Sequence, residues 1–255
     1  MQSHSAILDV QDLVVSFDGF TVLNNLSMYV MPGELRFLIG PNGAGKTTLM
    51  DALSGKVKPD SGSITFDGSH ALNRAPEDAR VRMGIGRKFQ TPSVFASLTC
   101  FENVEVAAGY RRGIARLILA RSVEVDRVMW ALERVGLVDR ARVVASALSH
   151  GERQWLEIAM LLVQGPKLLL LDEPVAGMTR EERERTGELF ESLEGAHSLI
   201  VTEHDMDFVR QFSRVITVLH MGSVLCEGRV DEIQRDPRVQ AVYLGRAHET
   251  AGVTA

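Results

Sequence analysis

The chain opens with short apolar runs of period two, ILDVQDLVVSF, TVLNNLSMYV and ELRFLIG across residues 6–40, punctuated by Asp18-Gly19 and Pro32-Gly33. This pattern predicts β-strands joined by tight turns. A helix is predicted from Lys46 to Ser54, stopped by Gly55. GSITFDG at 62–68 predicts a further strand, 76–82 a short helix, and 84–90 a short extended run. From Phe101 to Val135 the period lengthens. Val125, Val128, Met129, Leu132 and Val135 recur at three- and four-residue spacings, which predicts helix.

Ser149 followed by Glu152 is a capping-box spacing, and Trp155, Leu156, Ala159 and Leu162 then share one side of the helix it opens. LLLLD at 168–172 has the continuous apolar character of a parallel strand buried on both faces. Helix 180–193, strand 197–203, helix 205–212 and strand 214–219 alternate in α/β fashion. About 27 residues after Gly228 suffice for one or two short helices, and the polar tail from Arg246 is expected to fray. The pattern predicts one domain over 1–255, with a helical subdomain at about 91–165 inserted between two β-rich halves of its core.

Composition narrows the class. The 255 residues are 45% hydrophobic and 24% charged, as in ordinary globular proteins. A net charge of −5 gives no electrostatic footprint for nucleic acid, and none is expected as a partner. Cys100 and Cys226 form no CxxC or Cys/His cluster and are expected to be plain buried thiols. MQSHSAILDV lacks a basic region followed by an apolar run, so no signal peptide is expected. No apolar stretch approaches the ~20 residues that span a bilayer. Work at a membrane would need another chain to cross it.

The chemistry is concentrated in two motifs. Gly40-Pro41-Asn42-Gly43-Ala44-Gly45-Lys46-Thr47-Thr48 fits a phosphate loop, lying after a predicted strand and opening a predicted helix. Its backbone amides would cradle phosphate, Lys46 would reach the β- and γ-phosphates of ATP, and the Thr47 hydroxyl would hold magnesium. LLLLDE ends a buried strand in two acids, where ligand crevices of open α/β sheets lie. Asp172 would act on magnesium directly or through water, and Glu173 would polarise the attacking water. Phe17, Gln90 and His204 by themselves read as a core aromatic, a solvated loop glutamine, and a satisfied or capping histidine.

Taken in order, these residues resemble the nucleotide-binding domain of ABC transporters along nearly the whole chain. The family's aromatic A-loop, Walker A, Q-loop, signature, Walker B, D-loop and switch histidine correspond to Phe17, GPNGAGKTT, Gln90, LSHGE, LLLLDE, PVAGMT and His204. The resemblance implies a P-loop NTPase core of ABC ATPase type, with an antiparallel β subdomain and an inserted helical subdomain. It implies that Phe17 stacks on adenine, that Gln90 links magnesium and water to a membrane partner, and that His204 contacts the γ-phosphate. Leu148, Ser149, His150, Gly151 and Glu152 would act in trans, covering the nucleotide held by a second ATPase. The signature is LSHGE where LSGGQ is commonest, and the D-loop reads Ala176-Gly177-Met178-Thr179 where SALD is common.

RKFQTPSVFASLTCFENV, LSHGERQWLEIAMLL, DEPVAGMT and VYLG resemble the branched-chain amino-acid uptake branch, and within it the urea-transport ATPases. That resemblance implies the ATP-hydrolysing subunit of an importer of urea or a similar small polar solute, peripheral on the cytoplasmic face of the inner membrane. Its partners would be a second ATPase, identical or different, two permease subunits, and indirectly an extracytoplasmic solute receptor. The alternatives are an importer of branched-chain amino acids, a soluble ABC ATPase for cofactor assembly or translation, and an ATP-dependent clamp with little turnover. Pro92-Ser93-Val94-Phe95 would line a groove for a permease helix, or Phe95 would belong to the subdomain core. Arg180–Arg185 (REERER) is expected to be a solvated helix face, Arg111-Arg112 an exposed pair, and Trp155 a packing residue.

Overall fold

Asp18 and Gly19 both have positive φ, 50° and 83°, the conformation of the tight turn whose twist matches a β-hairpin. That turn joins β1 (Leu8–Phe17) to β2 (Phe20–Val30) in antiparallel register. The computed structural model describes residues 6–88, 94–109 and 121–242. Gln90, Pro92, Ser93, Arg111, Arg112, the VYLG residues 243–245 and the tail from Arg246 lie outside the described residues.

The hairpin extends into a four-stranded antiparallel sheet, ordered β2-β1-β4-β5, with β4 at Ser61–Phe66 and β5 at His70–Ala71. A six-stranded sheet has the order β10-β9-β3-β8-β7-β6. Its strands are β3 (Leu35–Ile39), β6 (Ile85–Lys88), β7 (Leu168–Asp172), β8 (Ser198–Thr202), β9 (Val215–His220) and β10 (Ser223–Gly228). All neighbours pair in parallel except the β9–β10 edge hairpin.

Side chains alternate across a strand, so each parallel strand divides its residues between two cores. Leu35, Phe37, Ile39, Leu169, Leu171, Leu199 and Val201 point to the helix-covered face, while Leu38, Leu168, Leu170 and Ile200 join the antiparallel sheet. Helix α1 (Lys46–Ser54) packs in that second core through Leu49, Met50 and Leu53. All four leucines of β7 are fully buried, each worth roughly 1.5–3 kcal/mol of apolar burial.

Between β6 and β7 the chain leaves the sheet to form α3 (Cys100–Gly109), α4 (Arg121–Arg134) and α5 (His150–Leu162), which pack on one another. Helices α2 (Glu77–Met83), α6 (Arg180–Leu193), α7 (Met206–Phe212) and α8 (Val230–Arg235) complete the elements. Helix α1 runs over the predicted residues and ends at Gly55, whose φ of 95° closes it. The strands β5 and β10 had no sequence signal: β5 has two residues, and β10 is a half-buried edge without alternation. Cys100 is buried as expected, whereas Cys226, on that edge, is only half-buried.

Candidate functional site

The loop after β3 forms the first wall of the site. Gly45 caps α1 with φ 102°, and a Cβ there would lie 2.7 Å from Leu23 Cδ2, so both the turn and the packing require glycine. No side chain caps this helix and no acid lies in its first turn. That leaves its leading amides for an anion, which the helix dipole also favours. Lys46 is buried, and its ammonium donates to the carbonyls of Gly40 (2.7 Å) and Pro41 (3.1 Å), spanning its own loop. The β9–β10 turn supports the loop from behind, with the Gly222 amide donating to Ala44 O at 3.1 Å. The sequence carried no signal for that support.

Because β3, β8 and β7 are adjacent and parallel, whatever follows them meets at one sheet edge. Asp172 is buried and pairs in register with Thr202, whose hydroxyl donates to Asp172 Oδ1 at 2.6 Å. Glu173 has φ 45°, unusual outside glycine. Its amide donates to Thr202 O (3.1 Å) and Oγ1 (3.2 Å), which holds it in that conformation. Its carboxylate Oε1 then lies 2.8 Å from His204 Nε2. His204 does not cap a helix, since Asp205 caps α7. Both side chains keep solvent access, at 30% for Glu173 and 43% for His204, so a ligand can reach them.

Neighbouring Glu203 is a site residue that sequence reading missed. Its carboxylate accepts the amides of Val175 (3.1 Å) and His204 (3.2 Å), tying the segment after Glu173 to His204. Burial pushes its carboxyl up to about 7, helped by the charge of Glu173 and opposed by those amides. On the next strand, Arg87 pairs with Asp51 at 2.6 Å and approaches Asp172 at 3.8 Å. Buried Lys88 lies 3.6 Å from Glu157 on α5, and burial lowers its pKa against the pull of Glu157. Gln90, two residues on, lies outside the described residues.

Magnesium takes oxygen ligands and keeps several waters, so it needs one or two protein groups beside the phosphates. Exposed Thr47 in the first turn of α1 and the buried Asp172 carboxylate supply such a set. No cluster of three or more His, Cys, Asp or Glu exists among the described residues, so no all-protein metal cage is built there.

The LSHGE segment opens α5. Ser149 forms the capping box, accepting the Glu152 amide at 3.1 Å while Glu152 accepts the Ser149 amide at 2.8 Å. Gly151 lets α6 approach closely: a Cβ there would lie 2.4 Å from Glu182 Oε1 and displace that side chain. The REERER segment is the solvated face expected from its charge, with Glu182 and Arg183 half-buried and the other four residues exposed, but its polar partners lie on other elements. Glu182 accepts the Ser149 hydroxyl at 3.1 Å and Arg183 pairs with Asp205. Arg185 stacks over Trp155 at 4.2 Å and donates to Gly136 O. Trp155 is buried, its indole donating to Thr186 Oγ1 at 2.9 Å, which is a packing role.

Phe17 is not core. It ends β1 at 46% exposure, in register with Phe20 at 74%, so two aromatic faces are available at the hairpin tip. Phe95 is also outside the core, at 52% exposure, while Val94 packs against it. Neither lines the apolar cleft of about 310 Å³ between the helical insertion and the sheet. Its apolar walls are Val81, Ile85, Val106, Ala107, Met160 and Leu161.

A phosphate loop, acids and a histidine at adjacent strand ends, and a separately capped helix start define an ABC-type ATPase. The chain belongs to this family: residues 23–176 match its model, described as ABC transporter. Residues 223–249 match the model of the branched-chain amino acid ATP-binding cassette transporter.

The chain is 38% identical over 252 residues to the high-affinity branched-chain amino acid transport ATP-binding protein LivG of Salmonella typhimurium, covering 94% of this chain and 98% of the relative. A probable LivG of Archaeoglobus fulgidus is 34% identical, over 94% and 95% of the two chains. Among solved structures, an ATP-binding cassette of an ABC transporter in its ADP conformation superposes with a TM-score of 0.82 at 26% identity, over 94% of this chain and 99% of the other. No helix among the described residues is long and apolar enough to cross a membrane.

Proposed function

We propose that this chain is the ATP-hydrolysing motor subunit of a membrane importer, with branched-chain amino acids as the cargo class. The observation that carries the ATPase chemistry is the convergence of the phosphate loop, Glu173 and His204 at the ends of β3, β7 and β8. The cargo rests on the relatives: those named above transport branched-chain amino acids, and the C-terminal match is to that branch. The signature and KFQTPSVF resemblance to urea-transport ATPases lacks such support and gives way to it.

In this reading Phe17 carries adenine and the Gly40–Thr48 loop wraps the phosphates. Lys46 leaves its loop carbonyls for the β- and γ-phosphates. Thr47, Gln90 and Asp172 would hold magnesium, which would screen phosphate charge. Glu173 accepts a proton from the attacking water, and His204, held by Glu173, donates to the γ-phosphate. Ser149, the Gly151 amide and the start of α5 complete the site of a second ATPase. The permease docks a short cytoplasmic helix in the cleft between Val106 and Met160, which puts the chain peripherally on the cytoplasmic face.

The test is co-expression with permeases encoded beside this chain, purification of the assembly, and ATPase assay with the cognate solute receptor loaded with leucine or with urea. Stimulation by leucine alone supports the proposed cargo. Stimulation by urea alone restores the other reading, and failure to bind any permease removes the transport role.

A further inference from the structure

Two of the places where this chain departs from its family's commonest pattern, His150 in the signature and Ala176-Gly177 in the D-loop, touch in the fold. His150 Nε2 lies 3.0 Å from Ala176 O. A carbonyl only accepts, so the bond to Ala176 O requires the tautomer protonated on Nε2, and the Gln154 side-chain amide, 3.3 Å from the same nitrogen, then donates nothing to it. Gly177 follows in a left-handed turn, and a Cβ on it would lie 3.4 Å from the same Nε2, so the ring packs on the turn it bonds. A glycine at 150 would have nothing to offer Ala176.

A second strap lies one residue away. Thr179 and Glu182 form the capping box of α6: Thr179 Oγ1 accepts the Glu182 amide (3.2 Å) and Glu182 Oε2 accepts the Thr179 amide (2.9 Å). Glu182 also takes the Ser149 hydroxyl on Oε1 at 3.1 Å, so the acid of one capping box reaches the cap residue of the other. These donors hold the Glu182 carboxyl below its ordinary range, the Thr179 amide foremost. The D-loop is thus held at several points: the Val175 amide on Glu203, Ala176 O on His150, Met178 buried, and Thr179 on Glu182.

We propose that His150 is a positioning residue that, with Glu182, latches the D-loop to the signature, so that both meet the second ATPase as one rigid unit. Loops move independently of a helix unless cross-braced, because their backbone has few internal hydrogen bonds. Here the brace comes from the signature helix itself. The inference rests on the reading that the signature serves a site in trans. It differs in giving His150 an intrachain partner rather than the partner's phosphate.

The test uses the full chain without nucleotide, then its ATPase-competent pair. In His150→Gly, amide exchange at Ala176 and Met178 should accelerate about five- to tenfold, the loss of roughly one hydrogen bond. The kcat for ATP should fall several-fold while KM stays within about twofold, because the latch does not touch the chain's own nucleotide. His150→Gln, whose amide can donate to Ala176 O, should recover at least half of both effects. Unchanged exchange in His150→Gly overturns the latch, as does a Gln variant that behaves like Gly. A loss confined to KM would assign His150 to nucleotide contact and equally overturn it. If the trans reading fails, kcat alone becomes insensitive, and exchange at the D-loop still decides the latch.

Discussion

Glu173 and His204, thirty-one positions apart in the chain, stand 2.8 Å from one another, Oε1 to Nε2, at the ends of neighbouring parallel strands. The contact orients the two groups proposed to handle water and the γ-phosphate. Thr202 sets it up from both sides, accepting the Glu173 amide on its carbonyl and hydroxyl while donating that hydroxyl to Asp172.

Replacing Glu173 by Gln keeps the shape of the side chain and removes its ability to take a proton. ATP binding should persist while hydrolysis falls by roughly 10²-fold or more, the loss of a general base. Unturned ATP should then hold a stable dimer, visible by size-exclusion chromatography. Turnover at the wild-type rate would take Glu173 out of the mechanism.

Trans sharing predicts complementation. Lys46→Ala removes the charge meant for the phosphates, and Ser149→Arg blocks the signature at an exposed position. A mixed dimer then holds one site with both defects and one with neither, and its ATPase rate should exceed the sum of the separate proteins. If the physiological partner is a different ATPase, the two substitutions are divided between the subunits. A verified mixed dimer without recovery would mean that the signature serves its own chain.

Glu203 makes stability depend on pH. A carboxyl raised from 4.5 to about 7 binds its proton more tightly folded than unfolded. Its contribution is therefore full below pH about 4.5 and is lost as pH rises to about 7. Glu203→Gln stays neutral throughout. Relative to wild type, it should gain on the order of 3 kcal/mol between those two limits, measured by urea denaturation at each pH. A difference that stays constant across the range would mean that Glu203 ionises freely.

Arg80 is 2% exposed and donates to the carbonyls of Ala52, Leu53, Leu72 and Ala75, closing the end of α1 against α2. Burial lowers its pKa, with Glu77 opposing. Arg80→Ala removes the guanidinium donors from these carbonyls, of which Leu72 O keeps the Ala75 amide, and leaves a void, which should cost about 3–5 kcal/mol in urea unfolding. Arg80→Lys should recover little, since one ammonium cannot copy the planar fork of donors.

Val106 is 50% exposed on a wall of the apolar cleft. Val106→Asp should leave ATPase activity of the isolated chain within about twofold, because surface changes away from a site cost little. It should abolish co-purification with the permease, since a charge would then be buried unpaired. Intact co-purification would move the docking site elsewhere.

Much of this architecture was written in local rules. Alternation and run length marked β1, β3, β7 and β8, and glycines ended α1 at the predicted residue. Ser149 and Glu152 close their capping box within one turn, as spacing alone required. The phosphate loop was legible for the same reason: nine consecutive residues carry its glycines, lysine and hydroxyl.

What acts over long separations was decided by the tertiary structure. The order β10-β9-β3-β8-β7-β6 brings Glu173 to His204, and no local periodicity contains that order. Phe17 looked like core because aromatic residues in strands usually are, yet it ends a hairpin whose turn carries it to the surface. REERER is solvated, as its charge implied, yet Glu182, Arg183 and Arg185 each find a partner on another element, which no spacing within the run displays. Caps, turns and alternation are settled within a few residues by backbone geometry, so a sequence displays them. Which carboxylate meets which hydroxyl depends on how helices and strands pack, and that is fixed only when the whole core closes.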